Sequence, residues 1–270
     1  MNWREKLVTI ASQNNSLLCV GLDTDSGKIP TFLLETSKNP QFDFNKAIID
    51  ATKDLVCAYK LNMAFYEAAG KKGTEALEKT IQYIPHNIFI ILDGKRNDIG
   101  NTAQKYAQSL FDTLKADAVT INPYLGKDSV SPFLDYKEKC SFILCRTSNP
   151  SAGDFQDLLV SSTPVYQIVA RKIREWDTNK NCGAVVGATY PEELKTVRTL
   201  LGDDIPILIP GVGKQGGDVE KTVRNGTNSH AEMALINSSR EIIFAGSQQD
   251  FAEQARKKAE SVRNEINSYR

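Results

Sequence analysis

Short apolar runs alternate with amphipathic stretches along the whole chain. Eight of these runs have strand character, at 16–22, 55–61, 87–92, 118–122, 141–145, 183–187, 206–209 and 233–237. The run at 87–92, Asn-Ile-Phe-Ile-Ile-Leu, is β-branched and aromatic-rich, as expected of a strand buried on both faces of a parallel sheet. Between the runs, apolar residues recur at helical spacing. Tyr106, Leu110 and Leu114 stand at i, i+4 and i+8 within 102–115, and Val165, Ile168, Val169, Ile173 and Trp176 form a stripe within 164–176. Both stripes are read as core faces. Eight strands, each followed by a helix, predict an α/β fold closed as a (β/α)8 TIM barrel, with an open doubly wound sheet as the alternative. No low-complexity linker divides the chain, so residues 1–270 are expected to form one catalytic barrel domain.

A barrel of this kind builds its site from the loops that follow its strands. Polar and glycine-rich residues do cluster there. The first run ends in Gly21-Leu-Asp23-Thr-Asp25, the second in Lys60-Leu-Asn62, and the third in Asp93-Gly-Lys95-Arg-Asn-Asp98. The fourth ends in Asn122-Pro-Tyr124 and the fifth in Arg146-Thr-Ser148-Asn149-Pro150, while Pro210 to Asp218 is glycine-rich and Asn237-Ser-Ser-Arg240 follows the last run. Asp93 and Lys95 are two apart, so they share a face if the strand persists through them. An aspartate beside a lysine fixes the charge of both, with a structural ion pair at the barrel rim as the alternative. Gly211, Gly213, Gly216 and Gly217 allow backbone N–H groups to approach an anion, with Gln215 and Arg240 as side-chain donors. A turn with no ligand is the alternative, weakened by the arginine after the next strand.

Charge and composition narrow the function. The 33 basic residues balance 33 acidic ones, so no net field recruits nucleic acid or an anionic membrane. The start is charged rather than apolar and no run approaches the ~18 residues of a bilayer span, so a cytoplasmic protein is expected. Five cysteines, Cys19, Cys57, Cys140, Cys145 and Cys182, form no C-x-x-C pair and are read as reduced and buried. His86 and His230 are read as surface residues, and no metal site is expected. Asp25 and Asn62 fit a helix cap and a solvated strand end, and the charged stretch 254–270 reads as a solvated helix face.

In their order along the chain, these motifs resemble the orotidine 5'-phosphate decarboxylase family, in particular its longer bacterial form. The resemblance spans nearly the whole chain and rests on Asp93-x-Lys95-x-x-Asp98-Ile-Gly-x-Thr102, on Lys60, on Cys145 to Pro150, on Pro210 to Asp218 and on Asn237 to Arg240. It implies decarboxylation without metal or organic cofactor, the last step in making uridine monophosphate. By the same resemblance Lys60, Asp93, Lys95 and Asp98 form a charged catalytic array, with Asp98 and Thr102 donated by the partner of a homodimer. Asp23 and Lys60 would contact ribose, Ser148 and Asn149 the pyrimidine edge, and Gln215 and Arg240 the phosphate. Two other functions fit parts of the pattern: a magnesium-dependent sugar-acid-phosphate decarboxylase of a related barrel, and a non-catalytic nucleotide-binding barrel.

Overall fold

The computed structural model describes residues 2–212 and 216–270. Eight parallel strands close into a barrel: β1 (Leu18–Gly21), β2 (Ala58–Asn62), β3 (Phe89–Arg96), β4 (Ala118–Ile121), β5 (Cys140–Arg146), β6 (Cys182–Val186), β7 (Ile207–Pro210) and β8 (Ala234–Ser238). The last closes on the first, with Leu18 opposite Ile236 and Val20 opposite Ser238. Every predicted run therefore overlaps a strand, and the open sheet is excluded. The strands are buried almost throughout, because helices cover the outside and layered side chains fill the inside. Alternation then sorts the residues. Tyr59 points outward, its hydroxyl donating to the Ile49 carbonyl at 3.3 Å, while its neighbour Lys60 faces the barrel mouth.

The helix Trp3–Gln13 lies at the opposite end of the barrel from the mouth. Its Trp3 indole donates to the Lys180 carbonyl at 3.2 Å and Lys6 pairs with Asp117 at 2.6 Å, both partners lying just before a strand begins.

Two helical faces differ from the sequence reading. The segment after β3 forms a helix at Gly100–Gln108 that widens into a π turn at Ser109–Thr113, and its buried face is Ala103, Ala107, Leu110 and Phe111. Tyr106 is exposed instead and lies against the Arg96 guanidinium, 5.5 Å from its ring centre. The small alanines let the helix sit close to the barrel, and the tyrosine's wet hydroxyl suits the rim. The last helix, Phe251–Ser268, is more than a solvated face: Ala255, Ala259, Val262 and Ile266 are buried, and Arg256 pairs with Asp54 at 2.6 Å. A short antiparallel ribbon, Leu159–Val160 with Thr163–Pro164, follows β5 and was not foreseen. Among the described residues, no helix is long and apolar enough to cross a membrane.

Candidate active site

A cavity of about 480 Å³ opens at the mouth of the barrel. Asp23, Lys60, Asp93, Lys95, Ser148, Asn149 and Arg240 all reach it. Strand parity explains the charged cluster: Lys60 of β2 and Asp93 of β3 rise from adjacent strands, in a register that sets Lys60 opposite Ile91 and Asn62 opposite Asp93. Their side chains meet above that layer. The Lys60 ammonium lies 3.1 Å from Asp93 Oδ2 and 3.4 Å from Asp23 Oδ1, so it bridges two carboxylates. Lys95 Nζ approaches the other Asp93 oxygen at 2.7 Å.

The strand does persist through Asp93 and Lys95, but not as a regular pleat. Its register with β4 shifts between Leu92 and Arg96, and Lys95 sits at φ 47°, a left-handed conformation that costs a non-glycine residue about 1 kcal/mol or more. Thr120 of β4 holds this distortion in place. Its hydroxyl accepts from the Lys95 backbone N–H at 2.9 Å and donates to Asp93 Oδ1 at 2.7 Å. Thr120 was missed in the sequence, where its only signal is a lone hydroxyl in an apolar run.

Burial works against the charge on Asp93, yet Lys60 and Lys95 outweigh it and hold the carboxyl well below the usual carboxylate range. Burial likewise opposes the Lys60 ammonium, and Asp23 and Asp93 more than compensate, raising its pKa. Lys95 differs in one respect: its side chain is 47 % exposed and points into the open part of the cavity. A buried, locked Lys60 and a reachable Lys95 therefore suit different tasks.

On the opposite wall, the loop after β5 brings Thr147, Ser148 and Asn149 to the cavity. Ser148 is wedged against Gly187, where a Cβ would come within 2.8 Å of the serine side chain. Gly211 and Val212 of the glycine-rich loop line a third side, beside Arg240 at the first turn of a short helix. The Gly217 N–H returns to the Gly211 carbonyl at 3.1 Å. Gln215 and Gly213 lie outside the described residues.

Asp98 and Thr102 are not brought to this cavity. Asp98 accepts from the Ile99 N–H at 2.8 Å, and Thr102 is exposed on the helix that follows. Asn62, read as a solvated strand end, caps the helix Met63–Glu67 by accepting from the Ala64 N–H at 3.3 Å and also lines the cavity. Asp25 caps the single turn Ser26–Lys28. His86 and His230 are exposed, as expected.

Residues 16–255 match the model of the orotidine 5'-phosphate decarboxylase / HUMPS family. The chain belongs to that family. It is 50 % identical to the orotidine 5'-phosphate decarboxylase of Cellvibrio japonicus over 99 % of this chain and 98 % of the relative, and 47 % identical to that of Ralstonia nicotianae over the full length of both. Among solved structures, Leishmania donovani OMP decarboxylase superposes with a TM-score of 0.83 at 35 % identity, covering 98 % of this chain and 99 % of its own. Leishmania donovani UMP synthase gives 0.86 at 36 % identity, with 99 % of this chain covering 57 % of that longer one. The charged cluster, the β5 loop and Arg240 thus occupy the mouth of a family barrel rather than an unrelated one.

Proposed function

We propose that this chain decarboxylates orotidine 5'-phosphate to uridine 5'-phosphate and carbon dioxide. The observation that carries the reading is the Asp23–Lys60–Asp93–Lys95 chain of contacts at the barrel mouth, with a neutralising lysine fixed in its middle and a reachable lysine at its end. Asp93 is held ionised, so a substrate carboxylate placed beside it is repelled, and departure of neutral carbon dioxide leaves that negative charge at C6, beside the Lys95 ammonium. Lys95 stabilises that carbanion and delivers a proton to C6 from its ammonium. Fixed charges of this kind favour the transition state over the ground state, because they need no reorganisation at the moment of bond cleavage. Asp23 and Lys60 serve the ribose, Ser148 and Asn149 the pyrimidine edge, and Arg240 with Gln215 the phosphate.

The reading extends to a homodimer in which Asp98 and Thr102 complete the neighbour's site. Their place outside the cavity of their own chain supports it, as does Ile99 between them, a large apolar side chain left 58 % exposed. All five cysteines are free and buried, and burial pushes the Cys57 and Cys145 thiols up to about 12, which suits a reducing compartment such as the cytoplasm.

A magnesium-dependent sugar-acid-phosphate decarboxylase is the weaker reading, since the Lys60 ammonium already sits between the two carboxylates that would have to share a cation. One assay separates them. The purified chain should turn over orotidine 5'-phosphate at an undiminished rate in excess chelator; activity abolished by the chelator and restored by magnesium would overturn the cofactor-free reading.

A further inference from the structure

The loop after β5 is held by a device that the reaction as proposed does not use. Arg146 ends β5, and an extra residue at Cys145 shifts the register with β6 between Leu144 and Arg146. Bulges re-aim the side chains that follow them. Leu144 faces the cavity, whereas Arg146 is turned away from it and almost wholly buried at 2 % exposure. Its guanidinium stacks 3.9 Å from the ring centre of Tyr190, in the loop after β6. One amino group donates to the Thr147 carbonyl at 3.1 Å and to Gln156 Oε1 at 3.2 Å, and the other donates to Asp157 Oδ2 at 3.1 Å.

Gln156, which also lines the cavity, closes the arrangement. Its Oε1 also accepts from the Thr147 N–H at 2.9 Å, and its Nε2 donates to the Thr147 hydroxyl at 2.8 Å. That hydroxyl in turn donates to Asn149 Oδ1 at 2.7 Å. Thr147 therefore has its N–H, carbonyl and hydroxyl all engaged by one buried cation and one amide. Ser148 is the next residue, and Gly187 presses on it from the neighbouring strand end.

We propose that Arg146 and Gln156 are positioning residues that set the Thr147–Asn149 segment at the distance and angle from which it reads the pyrimidine ring. The assignment rests on the proposed role of Ser148 and goes beyond it: neither Arg146 nor Gln156 touches the reacting atoms. A guanidinium suits the task because its planar fork binds several acceptors in one fixed geometry while stacking on an aromatic ring. Gln156 suits it because an amide both accepts and donates, whereas a hydrophobic residue would do neither. The clamp spans only the ring side of the cavity, so its influence should stop short of the phosphate side.

Gln156→Ala separates these ends without removing the buried arginine. Competitive inhibition should show uridine 5'-phosphate binding about tenfold more weakly to the variant, the loss of one or two net hydrogen bonds. Ribose 5-phosphate, which lacks the ring, should bind as it does to the unaltered chain. Gln156→Glu keeps an oxygen for the Thr147 N–H and for Arg146 but offers the threonine hydroxyl no donor, so it should recover part of the affinity. Gln156→Asn, one methylene shorter, should not. Equal weakening of both ligands, or no change in either, overturns the clamp. Ser148→Ala is measured alongside: if it leaves uridine 5'-phosphate binding intact, the role given to Ser148 fails alone, and the Gln156 variants still decide on the clamp.

Discussion

Asp93 concentrates the electrostatic problem of this molecule in one residue. Its carboxylate is 9 % exposed and touches two ammonium groups and a hydroxyl. With its folded pKa depressed, it contributes stability in full above the unfolded value, about 3.9, and loses that contribution as pH falls toward the folded value. Lys60 behaves in the opposite sense: its pKa is raised, so its contribution is complete below about 10.4 and is lost only as pH rises above that. Between roughly pH 5 and pH 9 neither group changes charge, and the contact between Lys60 and Asp93 stays intact. Asp93→Asn should therefore be less stable than the unaltered chain at neutral pH, by an amount that stays level down to about pH 5 and shrinks below about pH 4. Urea midpoints of the two proteins from pH 7 to pH 3 measure this, and a gap that does not narrow in acid contradicts the depressed pKa. That Lys60, Asp93 and Lys95 gather at the barrel mouth was legible in the sequence because charged residues at strand ends break an apolar pattern; the roles proposed for them come from the family resemblance. Thr120 was not, because the hydrogen bond that matters crosses between strands and is invisible along either one.

The elements divide along the same line between local and distant causes. Eight strands were readable because burial on both faces makes each an unbroken apolar run, whereas the face a helix buries depends on what it meets. The helix after β3 shows this: spacing favoured Tyr106, but close approach to the barrel selected Ala103 and Ala107. Arg198 is a second case, a charged residue in the amphipathic helix Pro191–Leu201 that is buried rather than solvated. Its guanidinium donates to the carbonyls of Gly202, Ile205, Gly226 and Met233 at 2.7 to 3.0 Å, tying together the ends of two helices and the approaches to β7 and β8. Replacing it leaves buried carbonyls without donors, each a cost of about 1–3 kcal/mol before relaxation. Arg198→Met should lower the unfolding free energy by ~3 kcal/mol with an unchanged denaturant slope. A loss below about 1 kcal/mol would mean that water replaces the arginine at no great cost.

At the scale of the whole molecule, the proposed decarboxylase site draws on a second copy of the chain. Lys60, Asp93, Lys95 and Arg240 reach the cavity, while Asp98 and Thr102 remain outside it, on the segment that carries the exposed Ile99. Strand order and spacing could not give those two residues a destination, because they describe one chain; the partner's site is what the family resemblance implies. A closed twofold dimer would carry each donated residue into the opposite cavity, so differently damaged subunits can repair one another. Lys95→Ala and Asp98→Ala should each be inactive alone. After subunit exchange, a mixed dimer holds one doubly damaged site and one intact site, in which Lys95 of one subunit works beside Asp98 of the other. Random exchange makes about half the dimers mixed, so activity should rise to about a quarter of that of the unaltered protein. Native mass spectrometry reports the exchange and a turnover assay reports the repair. Confirmed exchange with activity still at the level of the parents would place Asp98 in the service of its own chain, leaving the decarboxylase reading intact and the shared site refuted.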